Sequence, residues 1–578
     1  MLTITKMNRA VKAAQLFTIW RSCVPTVAAS TYTYTQPRME KNVVYSPTPP
    51  QMELPLEDIP SLIFRRAKSW SHKDAIECGV TGRKYTYGGM VDRALRWGAV
   101  VSQLFASQSP SSSSKTLAIV CTNAPEYPIL LLGTLAVGAN VTTVSTNYTA
   151  EEVARQLEDS GSEVIVTDPQ LEQMVTEALA RLKKNLPVFV NGASSLGNPN
   201  LRHIIEDTSR PLAEPVESGL KSKAAMLYSS GTTGKPKGVE LSHGAITSNL
   251  PCFTHADFIN YRPTTDNVQE TILGVVPFYH IYGLHGLIII TLYLGAKIVS
   301  LPAFKPDDFI RIIRDHQVRV LQLVPTILQF LVTSPLVSSA DLVSVRGAMC
   351  GAAPVPRTLA EALKAKSPNP ILFQEGFGLT ETLPTHMTPL NEERIGWCGR
   401  CIPCVESKVV DSETGEALPE GQRGELCIRS PSLMTGYHNN PTATAETIDA
   451  DGWLHTGDVA MHQDGFFTIV DRIKELIKVK GFQVAPSELE DLLHQHPGVD
   501  DVGVVGVKDG RAGELPRAYV VRRSGVTTTE EDLHKFLEPR VAKHKQLKGG
   551  IRFLDALPKI ATGKIERKVL REMAAKDP

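Results

Sequence analysis

A loop of small, hydroxyl-bearing and charged residues at 228–238 has the composition of an anion-binding site. Its three glycines permit positive φ and close approach of backbone N–H groups, its Ser and Thr hydroxyls are further donors, and its two lysines add positive charge. The ordinary P-loop pattern is excluded, because Pro236 stands where that pattern requires glycine. The simplest ligand is a polyphosphate. A flexible linker is the alternative, but the apolar run 224–227 before the loop and the helical pattern from Gly244 argue against it.

Two further stretches combine a turn with aromatic or small side chains. In 276–283 a proline precedes aromatic residues, His280 and a glycine. A lone histidine is often simply packed into the core, so this stretch is either a packed strand-to-helix turn or part of a site. In 349–354, Gly351 and Ala352 follow a strand-like pattern, and such small residues let a flat ring approach the backbone.

The stretch 374–381 carries groups that suit a nucleotide and a metal ion. Two glycines bracket Phe377, whose ring could stack on a purine. Thr380 offers a hydroxyl, and Glu381 offers a carboxylate oxygen of the hard type that Mg²⁺ prefers. We therefore predict Glu381 as a magnesium ligand.

Three later stretches concentrate charge beside glycines. Asp458 ends the string Gly-Trp-Leu-His-Thr-Gly-Asp, the stretch 471–488 is rich in lysine, and Lys564 follows a glycine near the C-terminus. Each has an ordinary explanation when taken alone: a helix cap, the charged face of a short amphipathic element, and a basic terminal helix. None of the three identifies a function by itself.

Cys398, Cys401 and Cys404 have a C-x₂-C-x₂-C spacing that some metal sites use. An iron–sulfur run would place a fourth cysteine at position 408, where Lys408 stands, and no close histidine completes a zinc set. The spacing therefore does not predict a metal centre.

In their order along the chain, these stretches resemble the motifs of the adenylate-forming superfamily: acyl-CoA synthetases, 4-coumarate-CoA ligases, beetle luciferases and the adenylation domains of peptide synthetases. The loop 228–238 resembles the phosphate-binding signature of that superfamily. Residues 276–283 resemble its P-x-x-H-x-Y-G/A motif. Residues 374–381 resemble its G-Y-G-x-T-E motif, with Phe377 in place of tyrosine.

The C-terminal motifs extend the resemblance. Residues 452–458 resemble G-W-x-x-T-G-D, and 557–567 resemble P-x-x-x-x-G-K-I-x-R. The run 471–488 resembles D-R-x-K-E-x-I-K-x-x-G-x-Q-V-x-P-x-E almost residue for residue. Six separated motifs in the family's order identify the fold and the class of reaction.

The resemblance implies a role for each matching residue. The residues expected to bind ATP or AMP are Ser229, Ser230, Gly231, Thr232, Thr233, Lys237, Ala352, Glu375, Gly376, Phe377, Thr380, Asp458, Arg472 and Lys564. Those expected to line the acyl pocket are His280, Tyr282, Gly351, Gly376, Leu383 and Pro384. The catalytic set is Lys564, His280, Thr380, Glu381 and Lys478. The CoA-transfer step is assigned Lys480, Gly481 and Gln483, and the hinge is assigned Lys474.

The implied reaction uses ATP, Mg²⁺ and coenzyme A. A carboxylic acid is activated as an acyl adenylate with release of pyrophosphate, and the acyl group is then transferred to CoA. The C-terminal domain would rotate about Lys474 between the two steps, withdrawing Lys564 and presenting Lys478 and Gly481. The alternatives are a luciferase-like oxygenase and a stand-alone enzyme that loads a carrier protein. Ile281 weakens the first, because luciferases generally have a second histidine there. The chain carries no appended G-x-x-S carrier segment, so a carrier would have to be a separate protein.

The resemblance leaves the acid open between a fatty acid, a cinnamic acid and another aromatic acid. Leu383 replaces a smaller family residue, which narrows the space for an aromatic ring. Ala303 stands where plant ligases tend to have a lysine that contacts CoA phosphate, and Lys305 is its only close substitute. We expect a medium-chain or arylalkanoic acid.

The elements that must position these residues follow from length and pattern. A chain of 578 residues is too long for one hydrophobic core. Helical patterns such as 90–105 alternate with β-rich pieces such as 116–121, which predicts an α/β fold with mostly parallel sheets. We expect a large N-terminal domain of several subdomains at 51–471, a hinge at 472–474, and a small mobile α+β domain at 475–578.

Composition limits partners and location. The 61 basic and 61 acidic residues balance, which argues against nucleic acid or an anionic membrane as the main partner. Residues 1–39 contain no Asp or Glu but carry scattered Lys and Arg, as in a mitochondrial transit peptide or a disordered basic tail. We expect 1–50 to be tail and linker, and the location to be mitochondrial or else cytoplasmic. The C-terminus is not the S-K-L peroxisomal signal, and no apolar stretch has the ~20 residues of a membrane span.

Overall fold

The computed structural model describes residues 31–35, 40–46, 51–108, 115–229, 236–480, 482–560 and 563–576. It confirms the predicted α/β class: a large N-terminal domain built on mostly parallel sheets is followed by a small α+β domain. Among the described residues, no helix combines the length and apolar character that a membrane crossing requires.

Within the described residues, the N-terminal part of the chain contains three sheets of five or more strands and a two-stranded sheet, Thr31–Thr35 with Gln51–Pro55. The first has seven strands, in the spatial order Gly436–Tyr437, Lys237–Ser242, Lys223–Ser229, Asn140–Thr143, Thr116–Val120, Ser162–Thr167 and Val188–Val190. The second has nine, in the order Arg400–Cys401, Leu383–Met387, Leu372–Leu379, Gly347–Cys350, Val320–Leu323, Thr271–Gly274, Lys297–Ser300, Asp74–Cys78 and Lys84–Thr86. The third is antiparallel, in the order Val44–Tyr45, Glu406–Val410, Gly424–Arg429, Leu454–Gln463 and Phe466–Arg472.

Helices cover the two parallel sheets. The α-helices of the N-terminal domain are Ile59–Ala67, Tyr87–Gln108, Tyr127–Leu135, Ala150–Asp159, Glu172–Leu182, Leu201–Glu206, His243–Phe253, Ile290–Leu294, Pro306–Asp315, Pro325–Thr333, Arg357–Lys366 and Pro441–Thr447. The apolar stretch near 286–295 forms a buried π-helix, Tyr282–Ile289, that continues directly into the short α-helix Ile290–Leu294. The buried apolar side chains form one large cluster and two smaller ones under these layers.

The C-terminal domain has its own sheet and its own core. Its strands lie in the order Phe482–Val484, Ile477–Val479, Gly513–Arg522 and Val499–Asp509, with Ile551–Leu554 parallel to Gly513–Arg522. Its helices are Pro486–Leu493, Glu530–Leu537 and Arg567–Lys576. Buried Val and Leu side chains between sheet and helices make this a separate hydrophobic core.

We expected 1–50 to be tail and linker, and the structure corrects this expectation for the residues of the segment that it describes. Thr31–Thr35 pairs antiparallel with Gln51–Pro55, and Val44–Tyr45 adds an edge strand to the third sheet. Alternating Thr and Tyr in the first strand has high β propensity, and Tyr45 is buried. The composition did not indicate these strands, because Ser, Thr and Pro are also typical of linkers. The candidate transit peptide at 1–30 lies outside the described residues.

Candidate active site

Two neighbouring parallel strands bring the small residues of the site together. Gly347–Cys350 pairs in register with Leu372–Leu379, so Gly351 follows one strand where Gly376 lies on the next. A Cβ added to Gly351 would lie 3.7 Å from the Gly376 carbonyl oxygen and 3.8 Å from the Tyr282 ring. Gly351 therefore lies beside Gly376 and the Tyr282 ring, at ordinary van der Waals separation. Ala352 follows with a positive φ of 72°.

Glu375 and Phe377 flank Gly376 on the same strand. Glu375 is buried, its Oε1 accepts the Gly396 N–H at 2.5 Å, and burial raises the pKa of its carboxyl group to about 8. Phe377 is half-buried against the edge of His386, at 5.9 Å between ring centroids. Both residues line the cleft between the two domains, which has a volume of about 2380 Å³.

Glu381 lies opposite the base of the predicted phosphate loop. Thr380 and Glu381 form the turn after the strand Leu372–Leu379. Glu381 Oε1 accepts hydrogen bonds from the Ser229 hydroxyl and the Tyr437 hydroxyl, both at 3.0 Å. The loop residues Ser230, Gly231, Thr232 and Thr233 lie outside the described residues.

Tyr437 is a site residue that sequence reasoning missed. It reaches Glu381 because Gly436–Tyr437 pairs with the strand Lys237–Ser242, and the Lys237 ammonium lies over its ring at 4.6 Å. The only signal was a Gly-Tyr pair in an otherwise unremarkable loop, and no spacing connected it to the other motifs.

Asp458 and Arg472 face each other across the antiparallel sheet. They are register partners, and Arg472 Nε lies 2.9 Å from Asp458 Oδ1. Burial raises the pKa of the Asp458 carboxyl group, against the opposing effect of Arg472. Within the described part of the chain, Asp458 Oδ2 is buried without a hydrogen-bond partner. An acceptor held in this way suits a ligand hydroxyl.

Lys564 comes from the C-terminal domain into the same cleft. It is surrounded by Arg472, Asp458 and Glu381, and burial followed by the Arg472 charge lowers the pKa of its ammonium group to about 8. The turn before it depends on Gly563, which has φ +80° and lies so close to the N-terminal domain that an added Cβ would be 2.5 Å from Thr326 Oγ1.

His280 and Tyr282 begin the buried π-helical segment. Burial, assisted by Lys564, lowers the pKa of His280 to about 4, so its imidazole is neutral at neutral pH. The Tyr282 hydroxyl donates to Gln322 Oε1 at 2.8 Å, and the Gln322 amide in turn donates to the Tyr261 hydroxyl. Gln322 and Tyr261 are second-layer residues that no sequence motif indicated.

Leu383 and Pro384 form a wall held by side chains of two helical segments. Leu383 is buried with φ +58°, and Asn249 Nδ2 donates to the Pro384 carbonyl at 3.0 Å. Asn249 Oδ1 lies 2.8 Å from His285 Nε2 on the π-helix. The irregular backbone at Leu383 is thus tied to the π-helix that carries Tyr282.

Those residues assigned to the CoA step whose side chains the structure describes, Lys478 and Lys480, lie apart from this group. Lys474 lines the cleft at its 3₁₀ turn, but Lys478 and Lys480 are exposed and do not line it. Lys480 has φ +50°, and its N–H donates to the Ala512 carbonyl at 2.7 Å. Gly481 and the side chain of Gln483 lie outside the described residues.

The three spaced cysteines have different surroundings. Cys398 Sγ donates to the Phe467 carbonyl at 3.2 Å, Cys401 Sγ lies 3.5 Å from His386 Nε2, and Cys404 is buried in a left-handed turn. Burial raises the pKa of the Cys398 and Cys401 thiols. They behave as packed thiols of the core.

The fold and cleft define an enzyme that binds a nucleotide between a large and a small domain. A family model for AMP-binding enzymes matches residues 63–438, and one for the AMP-binding enzyme C-terminal domain matches 488–564. The chain is 36% identical over 519 residues to 4-coumarate–CoA ligase 3 of Oryza sativa subsp. japonica, covering 89% of this chain and 91% of that protein. It is also 36% identical to 4-coumarate–CoA ligase 1 of Petroselinum crispum, covering 89% and 93%.

The fold is also similar to that of ATP-bound MatB from Rhodopseudomonas palustris. The TM-score is 0.79 at 29% identity, over 89% of this chain and 98% of that one. The TM-score to the apo structure of MatB is 0.70. The domain arrangement here is therefore nearer to the ATP-bound form.

The chain belongs to the family of AMP-binding, adenylate-forming enzymes, as its motifs predicted. Within that family it is an AMP-forming acid–thiol ligase, whose substrates are ATP, a carboxylic acid and CoA.

Proposed function

We propose that this ligase activates an apolar medium-chain or arylalkanoic acid. The observation that carries the proposal is the engagement of Tyr282, whose hydroxyl donates to Gln322 at 2.8 Å while Gln322 donates to Tyr261. The polar groups of Tyr282, Gln322 and Tyr261 bond one another. The acyl group therefore contacts the Tyr282 ring and the apolar Leu383 side chain. A phenol group on the acid would lose its hydrogen bonds to water without gaining an assigned hydrogen-bond partner in the pocket. Binding of such an acid is therefore disfavoured.

In the first step a substrate carboxylate oxygen attacks the α-phosphorus of ATP, and the bond to pyrophosphate breaks. His280 is neutral, so its ring N–H can donate to the carboxylate without forming an ion pair that would weaken the nucleophile. Lys564 offsets the charge that develops on the phosphoryl oxygens. Asp458 Oδ2 accepts from the ribose, and Phe377 stacks on the adenine.

Magnesium is part of this proposal. Glu381 offers one carboxylate beside the Ser229 hydroxyl, a donor set that suits Mg²⁺ when substrate phosphates complete the shell. When bound, the ion would supply charge neutralisation on the phosphates.

In the second step the CoA thiol sulfur bonds to the acyl carbon and AMP leaves. We assign this step to the exposed face with Lys478 and Lys480, together with Gly481 and Gln483 of the same sequence motif, and this face would reach the cleft by rotation about Lys474. Closure of the small domain during the first step excludes water from the reactive adenylate.

Pyrophosphate release over a panel of acids, with and without CoA, tests the substrate assignment. We expect octanoic and 3-phenylpropionic acids to give kcat/KM values about tenfold above that of 4-coumaric acid, the scale of one unpaired polar group. A preference for 4-coumaric acid would overturn the substrate class. Oxygen consumption with release of AMP and no thioester product would instead favour a luciferase-like oxygenase.

The location stays a separate proposal. The acid-free basic segment 1–39 supports import into mitochondria. A fluorescent fusion should be mitochondrial with this segment and cytoplasmic without it; a cytoplasmic signal from the intact chain would contradict import.

A further inference from the structure

The strand that carries Asp458 contains a bulge. Leu454–Gln463 pairs with Gly424–Arg429, but Cys427 lies opposite His455 and Glu425 lies opposite Val459. Residues 456–458 therefore face a single residue of the partner strand, and Gly457 turns through φ +69°. Bulges of this kind re-aim a side chain beside active sites. Here the re-aimed side chain is Asp458.

A glutamate bridges this bulge. Glu425 Oε1 accepts the Gly457 N–H at 3.0 Å, and its Oε2 lies 2.9 Å from His455 Nδ1. The bulge takes the Gly457 N–H out of the regular ladder, and the carboxylate supplies its acceptor. The Thr456 hydroxyl completes the turn by donating to the Leu426 carbonyl at 2.8 Å.

His455 holds the glutamate from the other side. Its Nδ1 also lies 3.5 Å from Cys427 Sγ, and its Nε2 lies 3.6 Å from Asp449 Oδ2. The side chains of Glu425 and His455 are 15% and 33% exposed, so the pair is only partly screened by water.

The same groups invite comparison with a metal site. Glu425, Cys427 and His455 place three ligand-type atoms within 4.8 Å of one another, a spacing that zinc could bridge. However, the hydrogen bonds with Cys427 and then Glu425 raise the pKa of His455 to about 10. The same side chains already bond one another and the Gly457 N–H, so their spacing is explained without a metal ion.

We propose that Glu425, held by His455, is a positioning residue that fixes the bulge at 456–458 and so aims Asp458 at the nucleotide ribose. The inference rests on the proposed function, in which Asp458 binds the ribose hydroxyls. Neither Glu425 nor His455 touches the substrate in this assignment. Their effect reaches it through the Gly457 backbone, one residue before Asp458.

The test uses the full chain, the Glu425→Gln variant, and ATP against 2′-deoxy-ATP. Glutamine keeps the size and one acceptor oxygen but loses the charge that His455 binds. We expect KM for ATP to rise about tenfold and KM for the acid to stay within about twofold, because one charged hydrogen bond is lost. We also expect the preference for ATP over 2′-deoxy-ATP to shrink, because Asp458 no longer distinguishes the two sugars. His455→Phe should act in the same direction but about threefold, since Glu425 keeps its bond to Gly457.

Glu393→Gln is a matched control. Glu393 also bridges a cation and a backbone amide, Lys364 Nζ at 2.5 Å and the Phe373 N–H at 3.0 Å, but it lies away from the bulge. This variant should change neither KM nor the sugar preference.

Unchanged KM for ATP and unchanged sugar preference in both Glu425→Gln and His455→Phe would overturn the inference, as would equal rises in KM for ATP and for the acid. Circular dichroism of each variant checks the fold, and if Glu425→Gln does not fold, His455→Phe decides alone. The Asp458→Ala variant separates a failure of this inference from a failure of the proposed ribose contact. If that variant retains the full preference for ATP over 2′-deoxy-ATP, the proposed ribose contact itself is wrong.

Discussion

The C-terminal domain carries two sets of lysines that occupy opposite environments. Lys564 is buried in the cleft among Arg472, Asp458 and Glu381. Lys478 and Lys480 stand exposed on another face of the same domain. One rigid domain cannot present both faces to the cleft at once. Under the proposed function, this arrangement would serve adenylate formation, and the structure is more similar to ATP-bound MatB than to apo MatB.

The largest effect in this contrast between buried and exposed lysines is expected for Lys564→Ala. We expect adenylate formation to slow by ~10²–10³, because a cation aimed at the developing phosphoryl charge is lost. Transfer from chemically prepared acyl adenylate to CoA should stay near the unmodified rate. Pyrophosphate release measures the first step and thioester formation measures the second.

Lys535→Ala is the control for this prediction. Lys535 is an exposed lysine of the same domain, paired with Glu531 at 2.6 Å, and its loss should affect neither step. Equal losses in both half-reactions of Lys564→Ala would show that the two lysine sets do not divide the work.

The pH dependence sharpens the same contrast. Burial lowers the pKa of Lys564 to about 8, so the charged form dominates below that pH and the neutral amine above it. We expect kcat/KM for ATP, which reports the free enzyme, to fall about tenfold per pH unit above about 8. Lys564→Arg should move this fall to higher pH, because a guanidinium stays protonated. A fall at the same pH in both proteins would assign it to another group.

The motifs singled out Asp458, Arg472 and Lys564, and the structure places all three in one cleft. Asp458 and Arg472 were expected at the nucleotide from separate strings, and strand pairing sets them directly opposite each other. The α/β class was also predictable, because alternating helical and strand patterns specify layers without long-range information.

What escaped the sequence depends on pairing between distant segments. Tyr437 reaches Glu381 only because a short edge strand joins the phosphate-loop hairpin, and Glu425 reaches Gly457 only because of a bulge. A register shift of one residue would turn either side chain to the opposite face. Such contacts have no signature in local composition. The strand Thr31–Thr35 was hidden for the same reason, since its partner Gln51–Pro55 follows a stretch that looked like a linker.

A smaller effect is expected at the contact that seats Lys564. Gly563→Ala places a Cβ 2.5 Å from Thr326 Oγ1 at a residue with φ +80°. Closure for the first step should weaken, and adenylate formation should slow about tenfold, the scale of a left-handed strain of 1–2 kcal/mol. Adding Thr326→Ala removes the nearest contacts and should recover part of the rate.

Gly525→Ala is the matched control for this contact, because Gly525 has φ +78° in the same domain and an added Cβ there meets nothing within 4 Å. Thioester formation from prepared adenylate should be unaffected in each of these variants. The contact would be irrelevant to closure if Gly563→Ala behaved like Gly525→Ala in pyrophosphate release.

The smallest effect should come from the exposed set. Lys480→Ala should raise KM for CoA about three- to fivefold and leave pyrophosphate release without CoA unchanged, because an exposed charge acts on CoA phosphates through screened electrostatics. The ratio of variant to unmodified KM should therefore shrink as salt is raised, which separates a charge effect from a damaged turn.

A damaged turn is the alternative explanation to control for, since Lys480 has φ +50° and its N–H donates to the Ala512 carbonyl. Lys480→Asn tolerates that φ while removing the charge, so it should reproduce the alanine result. If KM for CoA were unchanged in Lys480→Asn but raised in Lys480→Ala, the effect of the alanine variant would come from backbone geometry and not from charge.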